Sequence, residues 1–243
     1  MLILKSMLSR LQKVGTTKAK GVGQVLVFGI AFITLMIIVI SYSLRAASIR
    51  YDERVIDTAL TTSLLAAATI DLHEYATNGS LLVNNKSGYS TTGFVGVNNP
   101  ADGKINGVAR EGGINGKAYK DFTRCIKNNL GLANDFSFEG SKGLYVSGKL
   151  RIVEFELYDV YYDATNTRHI IRRVINPVNG SCSATDVGSS YLRSTTDGNI
   201  VITEASVYAK IGFMFTTSVN FAGATKDTDE YFISRVVSII SVD

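Results

Sequence analysis

The sequence predicts an α+β protein. A single N-terminal transmembrane helix continues into a long amphipathic stalk helix, packed on an exported antiparallel β-sheet domain. Three observations carry this reading. Residues 21–44 form an uncharged apolar run, residues 45–76 hold one apolar stripe without Gly or Pro, and much of 145–242 alternates in stretches rich in Val, Ile, Tyr and Phe. The expected regions are a basic cytoplasmic leader (1–20), the transmembrane helix (21–44), the stalk (45–76), a Gly/Asn-rich loop region (77–117) and an exported α+β domain (118–243).

The run GVGQVLVFGIAFITLMIIVISYSL has 24 residues, with Lys20 before it and Arg45 after it. As a helix it spans roughly 36 Å at about 1.5 Å per residue. A bilayer core is about 30 Å thick. A soluble core helix would show a polar face, and this run has none. A cleaved signal peptide has an apolar region of about 7–15 residues followed by a small-x-small site. Here the run is longer, and Arg45 interrupts such a site near Ala46 and Ser48.

Residues 1–20 hold Lys5, Arg10, Lys13, Lys18 and Lys20 and no acid, which keeps that end in the cytoplasm by the positive-inside rule. The formal charge is +4, of which the leader supplies +5 and the remainder −1. The basic balance is therefore a topology signal. A near-neutral exported domain without a basic stripe offers nothing for phosphates, so no nucleic-acid partner is expected. Cys125 and Cys182 both fall on the exported side. They are a candidate disulfide in an oxidising compartment. Two buried thiols are the alternative reading.

In the stalk, Ile49, Ile56, Leu60, Leu64, Ala67 and Ala68 recur at helical spacing. Arg50, Glu53, Arg54 and Asp57 occupy the other side. Thr77-Asn78-Gly79 ends the helix. A second helix is expected over 117–130, with Ala118, Phe122, Cys125, Ile126 and Leu130 on its apolar face and Gly131 as its cap. Strands are expected over 145–162, with a bulge near Ile152-Val153, and over 167–175, 199–221 (one long or two short) and 231–242. A short hairpin is expected near 89–97.

Chemistry is sparse. No HExxH, CxxC or GxSxG occurs, so no catalytic residue is assigned. No cofactor or metal is expected. His73 and His169 are isolated. Asp52, Glu53 and Asp57 read as a self-compensated helix face, and Asp227, Asp229 and Glu230 lack the spacing of a calcium loop. Asn78, Asn85 and Asn179 begin glycosylation triplets, common by chance in such segments.

The order of a basic leader, Lys20-Gly21, an uncharged run, an amphipathic continuation and a β-rich domain resembles type IV pilin-like proteins. The stretches YDERVIDTALTTSLLAAATIDLHEY, KAYKDFTRCIKNNLGL and SGKLRIVEFELYDVYY resemble the tight-adherence (Tad-type) pseudopilins of Gram-positive bacteria. The resemblance implies a pilin-like fold and a prepilin peptidase that cuts after Gly21 or Gly23. It also implies partnership with other pilin-like subunits through the N-terminal helix. Such helices usually carry a glutamate near their new N-terminus. Here the fifth residue after a cut is Leu26 or Phe28, and no acid stands between 21 and 44. That departure favours a minor or accessory pseudopilin over a polymerising one. The alternatives are a membrane-anchored binding or sensor domain outside any filament, and an anchored enzyme.

Overall fold

A computed structural model describes residues 22–72, 75–76, 81–84, 104–105, 108–109, 113–138, 146–163, 165–215 and 230–239. The chain forms two compact units, Met1–Asp52 with Thr217–Asp227 and Glu53–Thr216 with Thr228–Asp243.

Helix α1 runs Val22–Ala67, so its first residues belong to one unit and its last to the other. The expected stalk extended to 76, but α1 stops at Ala67. The reason lies in the next residues. Ile70 bridges Val83, Asp71 N–H donates to Leu82 at 2.9 Å and Asn84 N–H donates to Thr69 at 2.7 Å. β-Branched Thr69 and Ile70 are weak helix formers, and here pairing outcompetes another helical turn.

The second unit is built on a five-stranded antiparallel sheet whose strands lie side by side in the order 182–186, 168–175, 146–162, 206–215 and 230–238. Its strands are β3 (Val146–Tyr162), β4 (Arg168–Ile175), β5 (Cys182–Asp186), β8 (Ser206–Phe215) and β9 (Glu230–Ser238). A separate hairpin joins β6 (Tyr191–Thr195) to β7 (Gly198–Ile202), and β1 (Lys104–Ile105) pairs with β2 (Val108–Ala109). The β3–β8 register slips between Ile152 and Glu154, where the alternation in the sequence changes phase. The described part of the 199–221 region holds two strands, β7 and β8, and 216–221 lie outside the described residues. The hairpin expected near 89–97 lies outside the described residues.

Register assigns the faces. Phe155 stands opposite Ile175 and Ala209, and Ala209 opposite Arg235, so all four share one face. Helix α2 (Lys117–Leu130) lies on that face, with Phe122 5.0 Å and Tyr119 5.2 Å from the Phe155 ring. Burial pushes the Tyr119 hydroxyl up to about 12. Gly131 closes α2 in the left-handed conformation, at φ 62°, which glycine adopts without a Cβ clash. Ile56, Ala59, Leu60, Leu64 and Ala67 from α1 are buried in the second unit, and the Asp57 carboxylate lies 2.7 Å from Arg235 Nε.

Candidate functional site

The N-terminal part of α1 is the first candidate. From Val25 it is long and apolar enough to cross a membrane, and its most apolar stretch is not buried. Exposed apolar side chains continue from Val25 to Leu44. Its Thr and Ser hydroxyls are satisfied within the helix: Thr34 donates to Ile30 at 2.9 Å, Ser41 to Ile37 at 2.7 Å and Ser43 to Val39 at 2.9 Å. Hydroxyls bonded this way leave no donor searching for water. A hydrocarbon solvent would accept such a surface, because an unsatisfied polar group there costs several kcal/mol.

Of the candidate cleavage residues, Gly21 lies outside the described residues and Gly23 stands in the first turn of α1. Along the expected stripe, Ile56, Leu60, Leu64 and Ala67 are buried, while Ile49 is half-buried. On the supposed polar side, Glu53 is exposed, but Asp52 is buried and Asp57 is engaged by Arg235. That side is not a uniformly solvated face.

Cys125 and Cys182 are held as two half-buried thiols, on α2 and at the start of β5. The expected disulfide is not formed here. Nor is Cys125 buried as its helical position suggests: Asn129 Nδ2 approaches its sulfur at 3.4 Å from the next turn.

The other sheet face carries an ionic and aromatic cluster. Buried Glu156 accepts from Arg172 Nη2 at 2.6 Å and from the Tyr158 hydroxyl at 2.5 Å. Arg193, from β6, reaches Glu154 and lies 3.3 Å from Glu156, with its guanidinium 4.0 Å above the Tyr208 ring. Arg172 lies 5.3 Å over the Tyr191 ring. Burial first, and then the Glu156 charge, raise the Tyr158 hydroxyl well above the ordinary phenol range. The Glu156 bond holds the Arg172 guanidinium firmly charged. Every charge has an opposite partner, so the cluster fastens the β6–β7 hairpin to the sheet.

A second polar lock joins Asp159 and Arg173, 1% and 3% exposed. Asp159 accepts from Arg173 Nε at 2.6 Å and from the Val83 backbone N–H at 2.7 Å. It ties the 81–84 segment to β3, where Val160 N–H also donates to Leu81 at 3.0 Å.

His169 sits between two acids, with Nδ1 2.9 Å from Asp186 and Nε2 3.4 Å from Asp163. Its ring stacks on Tyr161 at 5.1 Å. Both nitrogens are engaged and on opposite sides of the ring, so the two acids and the imidazole do not converge on one point. His73 lies outside the described residues, as do Asp227 and Asp229, while Glu230 forms a two-pronged bond to Arg151 at 2.9 and 2.7 Å. Among the described residues, no group of three His, Cys, Asp or Glu side chains is placed to hold a metal ion. Comparison with protein-family models, with curated proteins and with solved structures found no match.

Proposed function

We propose that the chain is a non-enzymatic, single-span surface protein, anchored by α1 and exporting its sheet domain, and that it serves as a minor or accessory pseudopilin of a Tad-like assembly. One observation carries the reading. Helix α1 carries an exposed apolar stretch whose Thr and Ser hydroxyls bond within the helix, and the sheet domain holds Glu156 and Asp159 in internal pairs with Arg172 and Arg173. Such a domain is suited to presenting a rigid contact surface. The basic leader sets the N-terminus in the cytoplasm. The partners are the membrane, a prepilin peptidase and other pilin-like subunits that meet α1. The absence of an acid between 21 and 44 supports an accessory role.

The test is the intact mass of the protein extracted from the membranes of its host. Loss of residues 1–21 or 1–23 supports the pseudopilin reading. A full-length mass overturns it and favours the second reading, an anchored binding or sensor domain. A cut near Ser48 overturns both.

A further inference from the structure

Among the described residues the five-stranded sheet ends in β9. Ser234 shows which groups face outward. Its N–H donates to Thr196 Oγ1 at 2.8 Å, and the Thr196 N–H is shared between Ser234 Oγ at 3.0 Å and the Ser234 carbonyl at 3.5 Å. Antiparallel alternation places the backbone groups of Phe232 and Val236 on the same edge. Among the described residues, the tip of the β6–β7 hairpin is what meets this edge. Thr196 bonds Ser234, and Asp197 lies 2.8 Å from Arg235 Nη1. An open edge strand is a template for strand addition, and proteins blunt such edges with turns and charges. Thr196 and Asp197 supply that blunting at the centre of β9.

The strand is also complementary to itself. In a two-fold antiparallel pairing centred on Ser234, Tyr231 meets Val237, Phe232 meets Val236, Ile233 meets Arg235 and Glu230 meets Ser238. No like charges face each other. Tyr231 and Phe232 are 47% and 42% exposed, and Val236 and Val237 are half-buried. The pairing covers the two exposed aromatics with the partner's valines. A two-fold contact of this kind uses the same patch on both copies and closes at two.

We infer that the outer edge of β9 is a docking site for β9 of a second copy of this chain, and that the β6–β7 tip is the plug that gates it. The pairing stands apart from the pseudopilin reading, because it needs only the sheet domain. Opening the site requires Thr196 and Asp197 to leave Ser234 and Arg235.

Cysteine cross-linking of the full chain, in native membranes and in detergent micelles, tests it. Positions 231 and 237 would face each other as a non-hydrogen-bonded pair with Cα atoms about 4.5 Å apart, a separation a disulfide spans. Within one chain they are roughly 20 Å apart along the strand, so a 231–237 bond reports only on a second copy. In a Tyr231→Cys, Val237→Cys background, adding Thr196→Ala and Asp197→Ala is expected to raise the 231–237 linked dimer about two- to tenfold, the net effect of one or two lost polar contacts. Adding Val236→Lys is expected to abolish it. Thr196→Ala alone, the milder change, should give a smaller rise in the same direction. A yield unmoved by loosening the plug overturns the inference. So does a yield indifferent to Val236→Lys, since the copies would then meet elsewhere, for instance through α1.

Discussion

Replacing Asp159 with Ala removes the acceptor that holds three segments together. Its carboxylate takes Arg173 Nε at 2.6 Å from β4 and the Val83 N–H at 2.7 Å, with both charged residues 3% exposed or less. Breaking such a buried pair from one side costs about 3–5 kcal/mol. Taking the acceptor from a buried backbone N–H costs about 1–3 kcal/mol. The two losses share one site and overlap, so the expected destabilisation is about 4–6 kcal/mol. Asp159→Asn keeps an oxygen for Val83 but sets an amide N–H against Arg173 Nε, so its loss should be smaller, about 3 kcal/mol. Replacing both partners by apolar residues, Asp159→Leu with Arg173→Met, should recover about 1–4 kcal/mol of the alanine loss. Urea unfolding of the full chain in detergent micelles, followed by tyrosine fluorescence, reads all three; the chain has 12 Tyr and no Trp. Hydrogen exchange at Val83 should rise sharply in the alanine variant and little in the asparagine one. Losses below about 1 kcal/mol in both single variants, within the range of an exposed pair, would refute the reasoning.

Three further outcomes follow from local geometry. Gly113→Ala should cost about 1–3 kcal/mol, because Gly113 has φ +45° and an added Cβ would stand 2.7 Å from the Gly180 carbonyl oxygen; a thermal melt checks it. Asp163 is lowered from 3.8 to about 2, chiefly by the Thr165 hydroxyl and the Thr167 N–H. Its folded value is the lower one, so its stabilisation is present above about pH 4 and is lost as the pH falls toward 2; Asp163→Asn should lack this limb of the acid unfolding curve. Ile37→Arg should oppose membrane insertion by about 2.5–3.5 kcal/mol, read as a loss of the carbonate-resistant fraction.

Most of the element order was readable because each element buries one face. The α2 stripe of Ala118, Phe122, Ile126 and Leu130 is buried as its spacing implies, and the phase change at Ile152-Val153 is the β3–β8 register slip. Strands β5 and β6 leave no such mark in the sequence. CSATD and YLRST carry little apolar alternation, and their place depends on pairing with β4 and β7. The end of α1 is unmarked in the sequence, because Ala68 to Ala76 hold neither Gly nor Pro. The competing bridge from Ile70 to Val83 is a tertiary event, invisible to periodicity. The polar clusters left a faint trace. Glu154, Glu156 and Asp159 lie in β3 and Arg172 and Arg173 in β4, opposite charges in neighbouring strands. Which acid meets which arginine is set by register, and Arg193 enters from a hairpin that alternation did not mark.

Single-span anchorage with an exported sheet domain is most directly tested by protease treatment of intact right-side-out cells or sealed vesicles, followed by detection of a C-terminal peptide such as 231–238. If α1 spans the membrane with its leader inside, the C-terminal peptide is lost from intact vesicles, while a fragment containing residues 25–44 stays with the membrane. If the C-terminal peptide survives until the vesicles are opened, the domain lies on the inner side and the anchored-export account is wrong.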